Sequence, residues 1–166
     1  MRTSWRILGA VLLVATTIGC DRATKQVAER ALKGAPVQSF LADTVRLQYA
    51  ENRGAFLSLG ANLPEPLRFG LFALGNAALL GLIVALLVRS RPRPVLEHAA
   101  WCLVLAGGLS NLVDRLARGG FVVDFMNVGI GRLRTGIFNV ADLAITLGVL
   151  LLLASWRSRP ESITAP

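Results

Sequence analysis

"VLLVATTIGCDRATK", residues 11–25, has two readings that lead to different molecules. In the first, Arg2 and Arg6 head a lipoprotein signal peptide whose apolar core ends at Gly19, just before a Cys20 awaiting a lipid anchor. In the second, the same run is the first membrane span of a chain that keeps its N-terminus. Thr17 stands where a lipidated cysteine usually has a leucine-like residue three positions upstream, and a mature lipoprotein would be mostly soluble. The remainder of this chain is not: of 166 residues, 54% are hydrophobic and 17% charged, far more apolar surface than a small soluble core would bury. A retained first span fits the whole sequence better.

Four apolar segments follow from that choice, at about Trp5–Cys20, Leu67–Val88, Val95–Val113 and Ile137–Trp156. The last three are close to the ~20 residues a helix needs to cross the hydrocarbon. The first is shorter, and spans if its helix continues through "DRATKQVAERAL", whose charged side chains snorkel to the headgroups. Pro64 and Pro66 suit the entry to the second helix. The formal net charge is +8, but Arg2, Arg6, Arg89, Arg91, Arg93, Arg157 and Arg159 flank the apolar segments. That is the placement that orients membrane spans, and it speaks against a nucleic-acid surface. With these arginines on one side, both termini are cytoplasmic, and segments 21–66 and 114–136 face outward. The outer segments also carry basic residues, diluted in the first by Asp21, Glu29, Asp43, Glu51 and Glu65. Cys20 and Cys102 lie in apolar stretches and His98 is the one histidine, so neither a disulfide framework nor a zinc site is expected. Glu97 and His98 read as an interfacial pair at the start of the third span.

The polar residues at span edges and in loops hold the chemistry. In "TVRLQYAENRGAFLSLG", residues 44–60, Val45, Leu47 and Tyr49 alternate with polar residues up to Asn52 and Gly54, after which Phe56, Leu57 and Leu59 resume. This is a small hairpin or curved sheet on the membrane surface, since an open sheet edge in lipid leaves backbone groups unpaired. In "GGLSNLVDRLARGG", residues 107–120, Gly107 and Gly108 allow close helix approach, and Asn111 shares a helix face with Asp114 and Arg115. A salt bridge by Arg115 is the structural alternative. "FVVDFMNVG", residues 121–129, is an extended run interrupted by Asp124. In "IFNVADLAITLGVLLLLASW", Asn139 and Asp142 share a helix face, and Asp142 lies about six residues, or ~9 Å of rise, beyond Gly136. A carboxylate near hydrocarbon is costly, which marks Asp142 as functional.

"DRATK" (21–25), "NRGAF" (52–56), "GGLSNLVDR" (107–115), "VVDF" (122–125) and "FNVAD" (138–142), taken in order, resemble the motif set of the lipoprotein signal peptidases, also called signal peptidase II. The resemblance covers about residues 5–156. It implies a bacterial inner-membrane aspartic peptidase: a four-transmembrane-helix bundle with a small periplasmic sheet or hairpin and a short periplasmic helix or loop. Its active site sits near the periplasmic leaflet, and it cuts just before a diacylglyceryl-modified cysteine. The motifs carry the catalytic pair onto Asp124 and Asp142, and substrate contacts onto Asn52, Gly54, Asn111, Arg115 and Asn139. Structural support falls on Asp21, Lys25, Gly108 and Asp114. The implied partners are diacylglyceryl-modified prolipoproteins and membrane lipids, with a monomeric enzyme and no metal, cofactor or nucleic acid. Two residues depart from the pattern: Arg22 replaces a frequent glutamine, and "RLRTGIFN" lacks the aromatic residue common before "FN".

The chemistry agrees with that pair. Two carboxylates about 4 Å apart repel by ~4 kcal/mol at an effective dielectric of 20, so they share one proton and titrate as a unit. The ionised member takes a proton from water while the protonated one donates to the scissile carbonyl. Arg115 belongs near carbonyls, because against the dyad it would keep both carboxylates ionised. Two rivals stand beside this reading. A Ser/Lys peptidase would pair Ser58 or Ser110 with Lys25 or Lys33, and a small proton-coupled transporter would use a membrane-embedded acid but leaves Asp124 in an extended segment unexplained.

Overall fold

The computed structural model describes residues 2–54, 63–89 and 93–157. Four helices are long and apolar enough to cross a membrane. They are α1 (Arg2–Leu32), α2 (Glu65–Arg89), α3 (Val95–Ala117) and α4 (Val140–Arg157). Their surfaces are inverted relative to a soluble bundle. Leu12, Leu74, Val88, Leu150 and Trp156 are exposed, whereas Asp21, Lys25, Asp114, Asp124 and Asn139 are at most 2% exposed. Lipid covers an apolar exterior at no cost, while polar groups gain only by meeting one another inside.

Helix α1 runs unbroken through Gly19 and Cys20 to Leu32, beyond the Trp5–Cys20 segment read from hydropathy. The charged extension is held because Asp21 and Lys25 point into the bundle and Ala28 and Leu32 enter a small core with Phe125. Helix α2 opens behind Pro64, with Pro66 in its first turn, and widens into one π-helical turn at Gly70–Leu74 before continuing as α-helix from Gly75. Helix α3 continues past Val113 to Ala117, and α4 starts at Val140 rather than Ile137, because Phe138 bridges back to Met126. Asp142 therefore stands in the first turn of α4, not a further turn and a half along it as its spacing from Gly136 suggested. Close packing of α3 on α4 depends on glycine. A Cβ on Gly148 would meet the Ala100 carbonyl oxygen and Val104 Cγ2 at 2.7 Å each, and one on Gly107 would run into the Ala141 carbonyl oxygen. At the position expected to give structural support, Gly108 faces α2 instead, where a Cβ would lie 2.7 Å from Leu80 Cδ2.

Between the helices lies a four-stranded antiparallel sheet in the order β1 (Gln38–Phe40), β2 (Val45–Asn52), β3 (Val122–Ile130) and β4 (Leu133–Arg134). Strands β1 and β2 form a hairpin that turns at Leu41–Asp43, where three successive non-glycine residues have positive φ. Asp43 holds that turn. Its carboxylate accepts from Ser39 Oγ and the Arg46 guanidinium at 2.6–2.7 Å, which keep it well below the usual carboxylate range, and its carbonyl accepts from Arg134. The second half of the expected hairpin, with Phe56, Leu57, Ser58 and Leu59, lies outside the described residues, as do Arg91 and Arg159. No separate short helix stands among the described residues of either outer segment.

The β2–β3 ladder contains an irregularity that serves the site. Leu47 pairs with Met126 and Ala50 with Asp124, so β2 spends one residue more than β3 over this stretch. A one-residue insertion reverses which side chains share a face. Without it Asn52 would point away from Asp124; with it, the two are diagonal neighbours on one face.

Gly148→Val is expected to destabilise the bundle by about 1–3 kcal/mol through overpacking. Gly81→Ala, at a position with nothing within 4 Å of the added carbon, is expected to be neutral or mildly stabilising. Thermal unfolding of the two purified variants in detergent checks the difference.

Candidate active site

The fourth helix begins with a reciprocal cap. Asn139 Oδ1 accepts the backbone N–H of Asp142 at 3.0 Å, and Asp142 Oδ2 accepts the backbone N–H of Asn139 at 3.2 Å. This is a capping box written with Asn and Asp, and it leaves Asp142 Oδ1 facing the interior. The next orphan donor, Ala141 N–H, is taken at 2.8 Å by Asp21 Oδ1 from α1. Thus the "FNVAD" motif both starts the helix and fixes the carboxylate.

Asp124 reaches the same place from the middle of β3. Asn139 Nδ2 donates to Asp124 Oδ1 at 2.6 Å, and Asn52 Nδ2 donates to Asp124 Oδ2 at 2.9 Å. Asn111 Nδ2 donates to Asp142 Oδ1 at 2.9 Å. Asn139 therefore touches both carboxylates. Burial, followed by the nearby charge of Asp142, pushes the Asp124 carboxyl up to about 6 despite the lowering effect of its two asparagine donors.

Each asparagine is oriented by what its oxygen accepts. Asn52 Oδ1 takes the Gly54 N–H at 3.0 Å, Asn139 Oδ1 takes the Asp142 N–H, and Asn111 Oδ1 takes the Lys25 ammonium at 2.9 Å. All three amino groups consequently face the acidic pair. Arg115, 8% exposed, donates to two backbone carbonyls, Gly54 at 2.9 Å and Asn111 at 3.4 Å, and ion-pairs with neither aspartate. Its Nε is buried without a hydrogen-bond partner among the described residues.

Beneath this polar cap lies a cleft of about 650 Å³. Asn52, Asn111, Arg115, Asp124 and Asp142 line its polar end, and Leu71, Phe72, Leu79, Ile137, Leu143 and Ile145 its apolar flank. Helices α2 and α4 both lean on α3, so the cleft lies between them. The π-helical turn of α2 contributes Leu71 and Phe72, in keeping with the frequent use of such turns at functional sites. Of the expected groups, Asn52, Asn111, Arg115, Asp124 and Asp142 line this cleft, whereas Gly54 and Asn139, expected as substrate contacts, are buried behind it and bonded to Arg115 and Asp124. Asp21, Lys25 and Asp114 sit behind them: Lys25 Nζ is 2.7 Å from Asp21 Oδ2 and 2.9 Å from Asp114 Oδ2. Asp114, expected as structural support, joins α3 to α1. Glu97 pairs with Arg93 rather than with His98.

Sequence reasoning passed over Asn76, which lines the cleft and donates to the Gly108 carbonyl at 3.0 Å. A lone asparagine within an otherwise apolar span was the available signal. Arg134 and Thr135, also on the cleft wall, carried none, since they adjoin the site only through the β3–β4 turn. A Ser/Lys arrangement is not formed at Ser110. Ser110, 1% exposed, donates its hydroxyl to Asp21 at 2.6 Å, and Lys25 Nζ is engaged by Asp21, Asp114 and Asn111 instead. Ser58 lies outside the described residues.

Comparison with known proteins agrees with the geometry. The family model described as signal peptidase (SPase) II matches residues 13–157. A lipoprotein signal peptidase of Syntrophotalea carbinolica is 36% identical over 149 residues, covering 89% of this chain and 91% of the relative. One from Sphingopyxis alaskensis is 36% identical over 148 residues, covering 87% and 82%. A bacterial membrane enzyme of known structure superposes with a TM-score of 0.81 over 96% of both chains at 23% identity, a likeness of fold. The protein belongs to the lipoprotein signal peptidase (signal peptidase II) family.

Proposed function

We propose that this chain is an aspartic endopeptidase that removes signal peptides from prolipoproteins by hydrolysing the bond just before a diacylglyceryl-modified cysteine, with Asp124 and Asp142 as the catalytic pair. The observation that carries this is the convergence of the two carboxylates on one cleft, bridged by Asn139 and served by three oriented amide donors. One carboxylate takes a proton from a water molecule as that water attacks the scissile carbonyl carbon. The other gives its proton to the carbonyl oxygen, and the tetrahedral adduct collapses as a proton passes to the leaving amine. The pair acts as a unit and no covalent intermediate is formed. Asn52 and Asn111 would also meet the substrate backbone. Arg115, whose Nε lacks a hydrogen-bond partner among the described residues, would offer a donor to a substrate carbonyl.

The cleft supports the choice of substrate. Acyl chains and the apolar signal helix have to remain in hydrocarbon while the peptide bond meets water, and here an apolar flank between α2 and α4 ends at a polar cap. Entry from the side, between those helices, lets a membrane-held substrate arrive without leaving the bilayer. The enzyme then lies in the bacterial inner membrane as a monomer, both termini cytoplasmic and the sheet on the periplasmic side. α1 supports that placement, since the 11 residues from Arg22 to Leu32 rise ~16 Å beyond Asp21 and carry the sheet with them.

Three outcomes are expected. Asp124→Asn and Asp142→Asn each lower turnover of a lipidated precursor peptide by ~10²-fold or more while the thermal unfolding midpoint stays near that of the parent protein; near-normal cleavage by either removes that residue from the pair. A diacylglyceryl-modified precursor is cut and its unmodified counterpart is not, as measured by mass spectrometry of the products; equal rates would refute lateral lipid recognition. In kcat/KM against pH, the alkaline limb, where the shared proton is lost, falls at or above about pH 6, set by the raised Asp124 carboxyl.

A further inference from the structure

Lys25 lies in the middle of the bundle, 1% exposed, and does not itself line the cleft. Its ion pairs to Asp21 and Asp114 would suffice for a structural part joining α1 to α3. The third contact adds something else. A carboxamide is nearly symmetric in shape, so what decides which end faces a neighbour is the donor or acceptor opposite it. An ammonium has three donors and no acceptor, so the atom of Asn111 that lies 2.9 Å from Lys25 Nζ has to be the oxygen. That same oxygen accepts from Asn139 Nδ2 at 3.3 Å. The amino end is thereby turned to Asp142 Oδ1 at 2.9 Å, where it stabilises the ionised form of that carboxyl.

We infer that Lys25 is a positioning residue for the peptidase reaction: acting through the Asn111 carboxamide, its buried ammonium keeps an N–H donor, and not an oxygen, against Asp142 Oδ1. The inference rests on the assignment of Asp124 and Asp142 as the catalytic pair. Without the ammonium, Asn111 loses its stronger orienting partner. Its flipped form would present an oxygen to Asp142 and suit a protonated carboxyl there. The ionised form of Asp142 would then lose one of its N–H donors, and the pair would hold its proton in more than one arrangement.

The charged groups around Lys25 are Asp21, Arg22 and Glu29 on α1, Asp114, Arg115 and Arg118 on α3, Asp142 on α4 and Asp124 on β3. Arg22 and Arg118 approach Asp114 Oδ1 at 3.5 and 3.4 Å, and Glu29 pairs with Arg118 at 2.8 Å. Asp114 is therefore bonded from α1 and α3 even without Lys25. Lys25 is also one of the influences that lower Asp124, so its removal moves the pH profile of the pair upward.

The test is a double-mutant cycle on the purified full chain in detergent, assayed with a lipidated precursor peptide well below each variant's unfolding midpoint. Lys25→Met is expected to lower kcat by ~10-fold or more with KM changed less than ~2-fold, and to move the alkaline limb of kcat/KM to higher pH. In an Asn111→Ala background the same change is expected to cost less than ~2-fold in kcat, because the group it acts through is gone. If Lys25→Met does not fold, Lys25→Met/Asp114→Asn, which keeps the net charge of the buried cluster, is compared with Asp114→Asn alone. Equal losses of kcat in the two backgrounds, or an unmoved pH limb, would overturn the inference and leave Lys25 a structural ion pair. An Asp124→Asn arm separates this from the parent reading: full activity there would sink the catalytic pair itself, whatever Lys25 does.

Discussion

Everything in this molecule is arranged around charge that has been taken out of water. Asp21, Lys25 and Asp114 are essentially inaccessible, and unpaired they would each cost several kcal/mol. Paired with one another and bonded to Ser110, Asn111 and the Ala141 N–H, they fix three helices against one another at one level. That level is where α4 begins. The carboxylate oxygen of Asp21 that caps α4 and the one that meets Lys25 belong to one group, so the start of α4 and the inward face of α1 cannot shift independently.

From that anchor the site is built outward in carboxamides. Asparagine is well suited to hold an acidic pair that shares a proton. It donates to a carboxylate without a net charge, where an arginine or lysine at the same distance would hold both carboxylates ionised. Arg115 illustrates the restraint, since it spends its visible hydrogen bonds on the Gly54 and Asn111 carbonyls. The irregularity in β2 completes the arrangement by turning Asn52 to the face where Asp124 stands. A membrane bundle and a strand ladder each supply one carboxylate, and the cleft between α2 and α4 opens below both.

Two features of the fold follow from physical limits rather than from chemistry. With lipid tails as apolar as leucine, the helices gain little from burying apolar surface against each other, so contact relies on Gly107, Gly108 and Gly148 and on polar bonds. The sheet pairs its strands in one continuous ladder and uses Asp43, Arg46 and Arg134 to hold a turn of three left-handed residues.

The sequence alone determined the number of apolar spans and singled out Asp124 and Asp142, which folding brings to one cleft. Those facts are local: hydropathy is read over ~20 residues, and Asp142 near hydrocarbon is conspicuous whatever surrounds it. The helix ends, the site of the hairpin turn and the partner of Asp114 were decided only by tertiary structure. α1 outran its apolar run because Ala28 and Leu32 found Phe125, more than ninety residues away, and α4 started late because Phe138 bridged to Met126. The orientation of the three carboxamides belongs to the same class. An asparagine in a sequence has no preferred end, and only the donors that folding brings to Asn52, Asn111 and Asn139 decide which end meets the acids.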